Sequence, residues 1–128
     1  MLSKELKNSR TCTPALVGRV FQVYHQEAGA AMARKWKLPA EFISVAGCHH
    51  EWADNQQHTR SAALANLAHH LSLALSLDDH GLRSGLAELP ALHYLAPQEE
   101  VRQRVLELAQ SAHDSQNARI ARGAAGSR

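Results

Sequence analysis

The 128-residue sequence predicts an all-α protein, and three observations carry that prediction. Apolar residues recur at intervals of three and four along most of the chain. Proline and capping residues stand where such stretches begin and end, as at Thr13-Pro14 and Leu38-Pro39. No segment sustains the alternation of β-branched and polar residues that marks a half-buried strand. The expected architecture is a compact helical bundle of about five helices. It forms one domain over residues 13–117, after a polar lead-in over 1–12 and before a flexible tail over 118–128.

The first helix opens at Pro14, where a missing N–H costs nothing, with Thr13 as its cap. Leu16, Val17, Val20, Phe21 and Tyr24 form its apolar face, continued by Ala28, Ala31, Met32 and Trp36. The spacing allows one helix over 14–36 or two with a break near Gln22. Leu38-Pro39 ends it, because the residue before proline is pushed out of the helical region. A second helix follows Pro39, with Phe42, Ile43 and Ala46 expected inward, and ends near His49-His50. Residues 51–58 are polar and read as a loop.

From Thr59 to Leu77 the chain is apolar over much of a helix circumference, through Ala63, Leu64, Leu67, Ala68, Leu71 and Leu75. That pattern predicts a central helix, stopped by Asp78-Asp79-His80-Gly81. Short helical pieces are expected near 82–87 and over Pro90–Leu95. Pro97 then starts a last helix. Glu99 and Glu100 complement its dipole, and Val101, Val105, Leu106, Leu108 and Ala109 form its inner face.

Bulk composition narrows the function classes. Fourteen basic and twelve acidic residues give a formal net charge of +2. The basic residues are scattered among acidic ones, so no nucleic-acid partner is expected. No apolar run approaches the roughly 18 residues a membrane span needs, and the start MLSKELKNSR lacks the apolar core of a signal peptide. Cys12 and Cys48 are two thiols without a CxxC pattern, which suggests a cytoplasmic protein with reduced cysteines. Gly-rich phosphate loops, GxSxG elbows and HExxH pairs are absent from the sequence.

Nine histidines are the chemically informative feature. Neutral imidazole is a common ligand for divalent transition metals, and one site can draw ligands from several helices. His25 lies one turn from Gly29, where a missing side chain lets another helix approach. Neighbouring helical residues point about 100° apart, so His49 and His50 can share one pocket only near a frayed helix end, or else serve two neighbouring ions. His69 and His70 lie within the apolar central helix, where a polar side chain needs a partner. His25, His49, His50 and His69 are the candidate ligands for a divalent metal. His58, His80, His93 and His113 read as ordinary polar positions, and His113-Asp114 as a solvated helix surface. The carboxylates near the candidates are Glu27, Glu51 and Asp54. Trp36, on the apolar stripe, reads as core, while Trp52 fits either a core or a binding role.

His25-xxx-Gly29, then Met32-Ala33-Arg34-Lys35-Trp36-Lys37-Leu38-Pro39, then His49-His50 resembles the HDOD family, a branch of the HD superfamily of helical signalling domains related to HD-GYP. Glu27 fits the family's acidic position. Leu64–Leu75 looks like the later helix that carries an alanine-aspartate pair in HD domains, and Leu89–Leu95 with Pro97–Glu100 looks like the closing turn and last helix. The resemblance spans roughly 20–110. It implies a regulatory module more than a phosphohydrolase, because the upstream histidine and His-Asp pair find no match before His25. The aspartate position also falls on His69. The chain thus looks like the C-terminal half of such a domain, which implies a homodimer, or a partner signalling protein, covering its apolar faces through the 14–36 or the 59–77 helix. The alternative that the resemblance leaves open is an HD-type metal-dependent phosphohydrolase using the four histidines.

Overall fold

A computed structural model describes residues 13–77 and 80–126. The expected lead-in over 1–12, Cys12, the Asp78-Asp79 stop and the last two residues lie outside the described residues. Those described fold as an all-helical bundle with no strand among them. In chain order the helices are α1 (Pro14–Lys35), α2 (Ala40–Cys48), α3 (Thr59–Ser76), α4 (His80–Gly85), α5 (Pro90–Leu95) and α6 (Glu99–Ala125). Single 3₁₀ turns occupy Trp52–Asp54 and Leu86–Glu88.

Helix α1 is continuous past Gln22. Thr13 Oγ1 accepts from the Leu16 N–H at 3.2 Å, capping the start. At the other end Leu38 N–H donates to the Ala33 carbonyl and Lys37 N–H to the Arg34 carbonyl. This is the paired closure of a Schellman turn, which needs a left-handed residue after the cap. Lys37 takes that conformation at φ 56°, where glycine is the usual occupant.

Helix α3 is central, packing against α2, the Trp52–Asp54 turn, α4, α5 and α6. The core is small: Ala63 and Leu67 of α3 meet Ala91, Leu92 and Ala96. Trp52, Leu71, Leu89, Leu95, Val105 and Leu106 close around them, and Leu92 is fully buried. Trp52 is therefore half-buried packing, its ring 5.0 Å from that of Tyr94. Helix α6 starts at Glu99 rather than Pro97 and continues through Ala118 to Ala125, with every residue described after His113 exposed.

Several expected inward faces turn outward. On α1, Val17, Phe21 and Met32 are exposed, Trp36 beyond its end is 62% exposed, and the buried residues are Ala30 and Ala33. The reason is packing: α1 meets α2 through its small side, where a Cβ on Gly29 would meet Ala46 Cβ at 3.5 Å and one on Gly47 would meet Ala30 Cβ at 3.5 Å. Phe42 on α2, Leu64 and Ala68 on α3, and Val101 and Leu108 on α6 are likewise exposed. Helical period locates an apolar stripe; it does not say what covers it.

Candidate metal centre

The meeting point of α1, α2 and α3 is built around imidazoles. His25 projects from the middle of α1. His49 caps α2 with right-handed helical dihedrals, φ −68° and ψ −19°, and His50 follows beyond the helix; both rings reach one point. His69 reaches the same point from α3. One nitrogen from each of the four lies within 4.8 Å of the others, a group able to hold a metal ion. His25 Nε2 stands 3.2 Å from His49 Nε2 and 2.9 Å from His50 Nε2.

The ring orientations of two members are set by the backbone. His25 Nδ1 lies 3.0 Å from the Phe21 carbonyl and 3.1 Å from that of Gln22. A carbonyl only accepts, so Nδ1 carries the proton and Nε2 presents a lone pair to the cluster. His49 Nδ1 donates in the same way to the Ala46 carbonyl at 3.3 Å. Backbone orientation of one imidazole nitrogen so that the other is free is the usual support of a metal-binding histidine. Burial holds the pKa values of His49, His50 and His69 below the ordinary histidine value, reinforced by neighbouring imidazoles, while Glu51 pulls those of His49 and His50 partly back. Neutral rings are the ligand form.

Two amides missed in the sequence hold this junction together. Gln26, one residue after His25, accepts from the His50 N–H at 3.1 Å and donates to Glu51 Oε2 at 3.3 Å. Asn55 is buried in the stretch read as a loop. Its Nδ2 donates to Ser44 Oγ at 2.9 Å and Cys48 Sγ at 3.1 Å, while its Oδ1 accepts from the His58 N–H at 3.0 Å. The Asn55 carbonyl accepts from Thr59 Oγ1 at 2.6 Å. This amide fastens α2 to the start of α3. Neither residue belongs to a periodic or spaced motif; a lone asparagine following Trp-Ala-Asp is the faint signal that was available.

The remaining histidines lie apart from the cluster. His58 precedes α3, His80 opens α4, His93 Nε2 donates to the Ala87 carbonyl at 2.9 Å, and His113 pairs with Asn117 at 3.0 Å. His70 touches only the edge of the group, its ring 5.8 Å from that of His69. Glu27 is exposed on α1, and Glu51 is engaged by Gln26.

Fold and site together define an all-helical protein whose first three helices converge on four imidazoles. The family model of the HDOD domain matches residues 2–52, so this stretch of the chain is similar to that family. The matched stretch contains α1, α2, His25, His49 and His50. It stops short of the 20–110 span read from the sequence and also takes in residues before Thr13. No curated protein and no solved structure matches the chain. No helix of the described residues is long and apolar enough to cross a membrane.

Proposed function

We propose that the chain is a non-catalytic HDOD-type regulatory domain, cytoplasmic, that works by protein interaction and pairs with a second copy of itself through α1. The carrying observation is the exposed apolar stripe of that helix. Val17, Phe21, Ala28 and Met32 recur at helical spacing along α1 and are exposed, Phe21 at 65% with its ring stacked 5.3 Å from that of His25. Contiguous exposed apolar surface of this kind marks an interaction site. A straight stripe on one helix is self-complementary about a two-fold axis, the commonest symmetry of soluble oligomers.

The site chemistry supports the same reading. Hydrolytic HD-type centres hold hard ions that take oxygen ligands and keep an open water position. The group assembled here is imidazole alone, and Glu51 spends an oxygen on Gln26.

Light scattering at micromolar concentration tests the proposal. The expected mass is that of a dimer, with Phe21→Glu giving a monomer of unchanged helicity. A monomeric wild-type chain overturns it.

The convergence of His25, His49, His50 and His69 favours a second reading, a metal-dependent phosphohydrolase in which Glu27 or Glu51 assists a bound water. Turnover of a phosphomonoester or phosphodiester on addition of a divalent ion, abolished in His49→Ala, would establish that reading and displace the first.

A further inference from the structure

We propose that the four histidines form a closed, tetrahedral site for one zinc-class divalent ion, which staples α1 to α3. The inference concerns ion class and geometry, and it stands whether or not the chain pairs.

The first observation is the shape of the cluster. All six separations between ring centres of His25, His49, His50 and His69 fall between 4.5 and 5.6 Å. Four points so nearly equidistant are the corners of a tetrahedron. A zinc ion bound by four imidazoles at about 2.1 Å sets ligand nitrogens roughly 3.4 Å apart and ring centres roughly 5 Å apart. The 3.2 Å between His25 and His49 nitrogens and the 4.8 Å bound on the whole group need only small side-chain rotations to reach that arrangement.

The second observation is the donor chemistry. The Nδ1 protons of His25 and His49 are committed to backbone carbonyls, so their Nε2 lone pairs face each other at 3.2 Å. His50 Nε2–H can donate to His25 Nε2, but nothing in that exchange relieves the lone pair of His49. Facing lone pairs repel each other, and a metal ion between them relieves that repulsion. A proton satisfies one pair; an ion at the centre satisfies four rings at once.

Four neutral nitrogens also choose the ion. Magnesium and calcium take oxygen ligands, whereas imidazole favours zinc, nickel and copper over manganese. With four protein ligands the coordination shell is complete, as in structural rather than catalytic zinc sites. The mechanical consequence follows from the packing: α1 lies on α2 and α2 on α3, while His25 and His69, 5.5 Å apart by ring centre, bring α1 to α3.

The test uses the full untagged chain, stripped with chelator and titrated separately with zinc, cobalt and manganese. One zinc per chain is expected, bound at least 100-fold more tightly than manganese, with bound cobalt giving the intense visible absorption of a tetrahedral ion. His69→Ala is expected to lose at least tenfold in zinc affinity, with His80→Ala unchanged. Weak octahedral cobalt bands, manganese binding as tight as zinc, or absence of zinc uptake would each overturn the proposal. The cobalt spectrum of the wild-type chain decides the matter if His69→Ala fails to fold, and unchanged affinity in a folded His69→Ala refutes the fourth ligand. None of these readouts depends on oligomer mass or on turnover.

Discussion

Replacing Asn55 by alanine tests how the candidate centre is held. The wild-type side chain is 8% exposed and makes three contacts: donation to Ser44 Oγ and to Cys48 Sγ, and acceptance from the His58 N–H. The losses are unequal. Ser44 Oγ can turn toward water, and Cys48 Sγ is a weak acceptor that still donates to the Ser44 carbonyl. The His58 N–H, at the entry to α3, loses its amide partner in a part-buried position, and an unsatisfied donor there costs about 1–3 kcal/mol. Adding about 1 kcal/mol for the bond to Ser44 gives a destabilisation of about 3 kcal/mol. Urea unfolding followed by helical circular dichroism reads it directly. With a slope of about 2 kcal/mol per molar, the midpoint should fall by about 1.5 M. A variant unfolding within about 0.3 M of the wild type would refute the assignment of Asn55 as the fastening between α2 and α3.

Lys37→Gly should stabilise the chain by about 1 kcal/mol, since the Schellman position is left-handed and glycine adopts it without strain; a thermal midpoint unchanged or lowered would contradict that. Leu92→Ala should cost about 3 kcal/mol, because Leu92 is the large side chain that is fully buried among the described residues, and a loss below about 1 kcal/mol in urea would show that the core closes over the gap. For chelated protein, stability should fall with pH. His49, His50 and His69 have folded pKa values below the unfolded 6.5, so below pH 6.5 the unfolded chain takes up protons that the folded chain refuses. The penalty is absent above 6.5 and grows as pH drops through the folded values; equal thermal midpoints at pH 7.5 and 5.5 would contradict it.

How legible the fold was depended on the kind of signal each element carries. Chain-local chemistry was readable: Thr13-Pro14 and Leu38-Pro39 bracket α1, and proline also precedes α2 and opens α5. Which face of α1 packs was not. Its buried side is Gly29, Ala30 and Ala33, residues with little apolar weight, while the heavier stripe of Val17, Phe21 and Met32 faces out. Periodicity reports an apolar face and is silent on what, if anything, covers it. The four clustered histidines were legible as residue types, His25 and His69 within helices and His49-His50 at the end of α2, but their convergence on one point comes only from the packing of the three helices. Gln26 and Asn55 were not legible, because a side-chain amide acquires meaning only from the backbone groups that the fold brings to it. The departure of Lys37 from helical geometry had no glycine to announce it.

Native mass spectrometry of the untagged chain, exchanged into volatile buffer with zinc and without phosphate, tests the account most directly because mass reports pairing and metal together. The account predicts twice the chain mass plus two zinc ions, with the Phe21→Glu variant appearing at the chain mass plus one. A wild-type species at the bare chain mass would contradict both the α1 pairing and the four-imidazole site.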